Sequence, residues 1–285
     1  MDTRALLREW SIRPAKQLGQ NFLVDKGALR RIVEGAEIDD ETLVLEVGAG
    51  LGALTELLCR QAKHVVAVEL DKRLVPILHQ VLEDAHNLTL VQGDILELDP
   101  ASLVLAQSGA RAGESLRYVV VANLPYYITS AVIRHLLETQ PRAERLVLTV
   151  QREVAERIVA EPGELSLLAM SVQLFGTPRV LFRIKPGSFY PSPGVESAVV
   201  RVDIRSTPEL GENEMDAIFR LARAGFSQRR KQLRNSLSAG LQLSRTEVAS
   251  RLEEVGIEPR RRAQSLSIQE WKLVADVLGG EGGPV

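Results

Sequence analysis

LVLEVGAGLGALTELLCRQAKHVVAVE, residues 43–69, decides the fold. An apolar run, a turn holding Gly48, Gly50 and Gly52, a helix-patterned stretch over 53–62 and a second apolar run at 65–69 read as strand, turn, helix, strand. Further apolar runs at 88–91, 118–122 and 145–150 alternate with helical patterns over 71–85, 129–139 and 151–160. Alternation of this kind predicts a parallel, doubly wound α/β sheet. The runs at 179–184 and 197–203 are separated only by the Pro/Gly-rich loop KPGSFYPSPGVE, which predicts an antiparallel pair at the sheet edge.

Beyond residue 206 the character changes. STPELGENE (206–214) reads as a polar linker, helical patterns follow over 213–225, 228–239, 246–254 and 268–278, and GGEGGP (279–284) closes as a flexible tail. Two domains are expected: an α/β domain over 1–205 and a small all-α domain over 206–285. The chain has 285 residues, 45% hydrophobic and 25% charged, enough for a large and a small core. Its first twenty residues mix both charge signs and lack an apolar segment, and no apolar run approaches membrane-spanning length, so neither a leader nor a membrane span is expected. Cys59 is the only cysteine, which excludes an internal disulfide and fits a cytoplasmic protein. His64, His79, His86 and His135 fall at no metal-ligand spacing, and no metal is expected. A net charge of −2 argues against coating nucleic acid through overall charge.

Gly48, Gly50 and Gly52 let the backbone pass close beneath a ligand, with the N–H groups of a helix start behind them. Glu69 ends the second run, where a carboxylate can accept from both ribose hydroxyls. Both features suit a nicotinamide or flavin dinucleotide as well as S-adenosylmethionine. Asp94, in QGDILELD after the third run, discriminates. It can take the amino group of an adenine lying across the sheet, in the direction where a dinucleotide needs room for its second half. The balance tilts to S-adenosylmethionine. Asp is also a common cap for the turn after a strand.

The fourth run ends in NLPYYI (123–128), an amide, a rigid ring and two aromatics where a small polar turn would do. These residues suit alkylation of an aromatic amine, whose lone pair is delocalised into its ring. The side-chain oxygen of Asn123 and the carbonyl of Leu124 can accept its two N–H hydrogens and favour a pyramidal nitrogen. Pro125 fixes the direction of that carbonyl. Acceptors of this kind stabilise the developing positive charge without a strong base. Tyr126 can stack on the base, and Tyr127 is expected to be core.

GQNFL (19–23), EVGAGLGALT (46–55), ELD (69–71), GD (93–94), NLPYYI, QREVAERI (151–158), FYPSPGVESAVV (189–200) and FSQRRKQLRNSL (226–237) together resemble the ribosomal RNA adenine dimethyltransferase family, in its small-subunit branch. The resemblance implies a Rossmann-like S-adenosylmethionine methyltransferase sheet. It implies transfer of two methyl groups to N6 of each of two adjacent adenines near the 3′ end of 16S rRNA, within the immature small ribosomal subunit and with a role in its biogenesis. It also implies that Asn21, Leu23, Gly48, Glu69, Asp94 and Asn123 contact S-adenosylmethionine, with Gly50 in the same loop, and that Phe189 sandwiches the base against Tyr126. The chain is expected to act as a monomer. It carries Ala49, Lys185 and Gly194 where the family usually has Pro, Pro and a basic residue, and a shortened EPGELS. These departures bear on RNA-facing loops.

Arg220, Arg223, Arg229, Arg230, Lys231 and Arg234 form a run without an acid in an otherwise balanced chain. A one-signed run favours a phosphate-contacting face over a merely solvated helix, and the last four are expected on one helix face. Arg223, Arg229, Arg230, Lys231 and Arg234 are the RNA-binding candidates. Arg260–Arg262 precede LSIQEW, which reads as a capped terminal helix.

Overall fold

The computed structural model describes residues 3–109, 117–205 and 211–280, so the expected linker and tail fall in part outside the described residues. The chain divides into two compact units, Met1–Ala155 with Gly176–Ile204, and Glu156–Phe175 with Arg205–Val285. Residues 156–175 therefore group with the C-terminal helices, which a single cut near 206 does not anticipate.

Seven strands form the main sheet of the first unit: β1 (Leu43–Val47), β2 (His64–Glu69), β3 (Leu88–Gln92), β4 (Tyr118–Asn123), β5 (Arg145–Gln151), β6 (Gly176–Ile184) and β7 (Ser197–Ile204). Their order is β3-β2-β1-β4-β5-β7-β6. β1 to β5 are parallel, and β7 runs antiparallel between β5 and β6. The later strand of the expected antiparallel pair thus lies inside the sheet. Its partner β6 forms the edge and carries a register shift between Val180 and Phe182. Every residue of β1 is buried, because parallel strands covered on both faces keep no solvent side. Glu46 is the one charged member of that strand.

The order reverses at β1: β2 and β3 continue to one side, β4 and β5 to the other. A crevice opens outside the carboxyl ends of strands where the order reverses. The chain leaves β1 into the glycine loop, β2 at Glu69, β3 toward Asp94 and β4 at Asn123, so the fold itself gathers these residues. Helix Lys26–Ala36 covers the sheet with Ala28, Leu29, Ile32, Val33 and Ala36, a three-and-four spacing that makes one apolar stripe. Asp25 caps it by accepting from the Gly27 and Ala28 N–H groups. A short antiparallel pair joins Phe22–Leu23 to Phe189–Tyr190.

The second unit is helical. Glu212–Phe226, Leu233–Leu241, Arg245–Glu254 and Ile268–Leu278 surround a core that includes Leu221, Leu237, Leu252 and the fully buried Trp271, with Met170 and Leu174 from the earlier segment. Ser267 and Glu270 close a capping box at the last helix, as LSIQEW suggests.

Two helices start later than their patterns predict. The one expected from 71 begins at Val75, because Asp71 accepts from the Arg73 N–H and holds a turn there. The one expected from 228 begins at Leu233, with turns over 227–231. Arg229, Arg230 and Lys231 offer no apolar side chain to bury, whereas Leu233 and Leu237 do, so packing sets the start. Helices Thr3–Glu9, Lys26–Ala36, Pro100–Ser108 and Leu167–Gln173 lie outside the expected patterns. No helix among the described residues is long and apolar enough to cross a membrane.

Candidate active site

The crevice is one cavity, and it is lined by Asn21, Leu23, Gly48, Gly50, Glu69, Asp94, Asn123, Leu124, Pro125, Tyr126 and Phe189. Every cofactor and base candidate of the first unit therefore meets at one place. The basic candidates belong to the second unit.

The glycine loop is shaped by its backbone. Gly48 and Gly50 have φ of +83° and +61°, a region side chains rarely adopt, and a Cβ on Gly50 would stand 3.2 Å from the Phe22 ring. Glu69 holds the loop from β2. Its Oε2 accepts from the Gly50 N–H at 2.7 Å and its Oε1 from the Asp71 N–H at 2.8 Å. Each oxygen keeps a second lone pair, so two acceptors remain for a vicinal diol. Burial raises the Glu69 carboxyl above its ordinary value, and the two N–H groups draw it back. Asp94 lines the cavity and caps the turn after β3, its Oδ1 accepting from the Leu96 N–H at 3.0 Å.

Glu46 opens the EVGAGLGALT motif but is not among the expected site residues. It lines the cavity, is 1% exposed, and neither carboxylate oxygen meets a hydrogen-bond partner. Burial pushes its carboxyl up to about 8; the neighbouring Thr55 hydroxyl draws it down without closing a hydrogen bond, and Glu69 nearby raises it further. The signal was present in the sequence, as a lone charge inside the apolar run LVLEV.

At the end of β4, Asn123 donates through Nδ2 to the Asn21 carbonyl at 3.1 Å. The Leu124 N–H is spent on the Thr149 carbonyl, and the Pro125 carbonyl takes the Ile128 N–H and the Thr129 hydroxyl. Tyr126 is half-buried, its hydroxyl 2.7 Å from that of the fully buried Ser197. Burial raises this phenol, while the bond to Ser197 draws it down. Phe189 is 2% exposed and packs in the cluster with Leu23 and Leu29, so its ring is part of the cavity wall and of the core at once. Tyr127 overturns its expectation: it is 61% exposed, at the rim of the cavity.

The segment carrying GQNFL lines this cavity, and besides its own turn and the pairing of Phe22–Leu23 with Phe189–Tyr190 it is fastened by two bonds that involve side chains. Gln20 donates to Asp71 Oδ2 at 2.8 Å, and Asn21 offers its carbonyl to Asn123. The Arg73 guanidinium beside Asp71 holds that carboxyl below its usual range, so it stays a charged acceptor.

In the second unit, Arg223 is exposed on helix Glu212–Phe226, and Arg229, Arg230 and Lys231 are exposed in the following turn rather than on a helix face. Arg234 differs from them. It is half-buried, with Nε shielded and without a partner. Arg261 pairs with Glu270 and thereby supports the terminal capping box, while Arg260 and Arg262 are exposed.

Residues 13–278 match the model of the family described as ribosomal RNA adenine dimethylase. The chain is 42% identical over 272 residues to ribosomal RNA small subunit methyltransferase A of Dehalococcoides mccartyi, covering 95% of this chain and 90% of that one. It is 41% identical over 284 residues to the protein of the same name from Pelotomaculum thermopropionicum, covering 98% and 96%. Among solved structures, a dimethyladenosine transferase from Plasmodium falciparum matches with a TM-score of 0.76 at 26% identity, covering 91% of this chain and 98% of that one. The 23S rRNA methyltransferase ErmE matches with a TM-score of 0.71 at 26% identity, covering 90% and 99%.

Proposed function

The chain belongs to the ribosomal RNA adenine dimethylase family and is an S-adenosylmethionine-dependent methyltransferase that dimethylates adenine in ribosomal RNA; from that premise we propose that it acts, as a monomer, on two adjacent adenines near the 3′ end of 16S rRNA in the immature small subunit. The small-subunit name carried by its relatives and the basic FSQRRKQLRNSL region support that choice of particle.

The cavity's donor set fits S-adenosylmethionine, a cation with a diol and an adenine. Glu69 offers two lone pairs to the ribose hydroxyls, Asp94 Oδ2 takes the adenine amino group, and Gly48 and Gly50 allow close approach. Asn21 and Leu23 line the cavity from the segment carrying GQNFL. A cation bound beside Glu46 would favour release of the proton that burial keeps on its carboxyl. When bound, the cofactor supplies an electrophilic methyl group on a sulfonium sulfur.

The observation that carries the reading is the orientation of Asn123. With Nδ2 committed to Asn21, Oδ1 is left to accept from the target amine, beside the Leu124 carbonyl whose direction Pro125 restricts. Two acceptors at that point hold both N–H hydrogens, turn the lone pair out of the ring plane and stabilise positive charge as it develops on nitrogen. Tyr126, and Phe189 in the opposite role, hold the base. Arg223, Arg229, Arg230, Lys231 and Arg234 are the proposed RNA-binding residues of the helical unit, with the half-buried Arg234 as a support for the turn. Incorporation of labelled methyl groups into undermethylated small subunits, against mature small subunits and large subunits, tests the reading. Methylation of undermethylated small subunits alone is expected; preference for large subunits would overturn the choice of particle.

A further inference from the structure

Tyr127 is the most exposed of the large hydrophobic residues among those described, and it stands directly after the half-buried Tyr126. The two neighbouring rings diverge. Tyr126 is tied to Ser197 and lines the cavity, whereas Tyr127 lies over the segment carrying GQNFL at the rim. The ring of Tyr127 rests where Gly19 has no side chain: with φ of +59° there, a Cβ would stand 3.2 Å from two of its ring carbons and 3.4 Å from Pro125 Cβ. The ring packs against the bare backbone of Gly19 while 61% of the residue is left to solvent. An exposed aromatic face seated beside a site proposed to take in a base has a specific use. Extruding one base from a stacked strand strips its neighbour of a stacking partner.

Building on the rRNA-adenine reading, we propose that Tyr127 is a stacking platform for the nucleobase next to the adenine in the cavity, positioning the strand while Tyr126 and Asn123 hold the reacting base. Where two adjacent adenines are methylated in turn, the same ring receives whichever of them is not in the cavity. Stacking requires an aromatic face and not a hydroxyl, because every base presents a π-face to it.

The test compares Tyr127→Ser and Tyr127→Phe with the wild type on undermethylated small ribosomal subunits, reading KM for the particle, kcat and S-adenosylmethionine affinity. Tyr127→Ser is expected to raise KM about tenfold, equivalent to about 1.4 kcal/mol, with cofactor affinity unchanged; Tyr127→Phe is expected to restore wild-type values. A residue that merely covers Gly19 gives the opposite pattern. Loss of its ring would loosen the segment bearing Gln20 and Asn21, weaken cofactor binding and leave KM for the particle alone, and that result overturns the proposal. So does a Phe variant as impaired as the Ser variant. If the wild type itself fails on small subunits, the choice of particle is at fault, and the three proteins are then compared on large subunits with the same two outcomes deciding.

Discussion

Asn123 donates its side-chain amide to the backbone carbonyl of Asn21 at 3.1 Å, across 102 residues of chain. One bond thus ties the residue proposed to hold the target amine to the segment carrying GQNFL, and it commits the nitrogen end of the amide to that segment.

Replacing Asn123 by Ala removes Oδ1 while the glycine loop, Glu69 and Asp94 remain. Turnover is expected to fall roughly 10²-fold or more, as on loss of one oriented polar group at a transition state, with S-adenosylmethionine affinity nearly unchanged. Methyl incorporation at near wild-type rates would overturn the acceptor role.

Tyr126 separates anchor from platform. The Tyr126→Phe variant keeps the stacking face and loses only the bond to Ser197, so turnover should stay close to wild type while stability drops by about 1 kcal/mol. The Ala variant should lose about 1–3 kcal/mol of base binding. Steady-state kinetics beside thermal unfolding distinguishes them; equal kinetic loss in both would point to the hydroxyl.

Glu69→Ala removes the acceptor proposed for the ribose and the bond closing the Gly50 turn. Calorimetric titration should show weakened S-adenosylmethionine binding, while particle binding, measured by sedimentation, persists. Thermal protection by a nicotinamide dinucleotide in place of S-adenosylmethionine would contradict the pocket assignment.

Glu46 links stability to pH. Its folded-state value of about 8 lies above the ordinary 4.5, so between them the folded chain keeps a proton that the unfolded chain has released. Stability therefore falls as pH rises through this interval and is fullest below it. The neutral Glu46→Gln variant should match wild type near pH 5 and exceed it above pH 8 by about 1 kcal/mol or more, which is roughly 2–4 °C in Tm. Equal pH profiles of Tm would remove Glu46 from the linkage.

The exposed turn gives a salt test. Exchanging Arg229, Arg230 and Lys231 for Gln should weaken particle binding and flatten its log–log salt slope by about 0.7–0.9 per lost phosphate contact. Arg234 is left in place because its Nε is shielded. A wild-type slope would move the RNA contact to another surface.

Strands β1, β2, β4, β5 and β7 were legible because burial on both faces leaves continuous apolar runs, and the gathering of Gly48, Glu69, Asp94 and Asn123 followed from their places at strand ends. Contacts without a local period were not. The bond from Gln20 to Asp71 joins two noted motifs across 51 residues, and that from Tyr126 to Ser197 spans 71; neither leaves a spacing to read. Tyr127 was misjudged because an aromatic beside an apolar strand looks like core; its ring instead lies exposed against the bare backbone of Gly19, a contact that leaves no spacing to read. The helix start at 233 was misread because charges fit a helical pattern as well as a turn until the buried Leu233 is known to set it.

The membership of residues 156–175 in the helical unit bears on how that unit is made and inherited. Met170 and Leu174 leave the ribosome before β6 and β7, and find their apolar partners only after the helices from Glu212 onward are synthesised. A nascent chain halted at 205 lacks the apolar partners from Ile218 onward that share this core with both side chains. The C-terminal unit is accordingly no detachable appendage: a gene fusion that exchanged it for another would have to replace two separated stretches of coding sequence together.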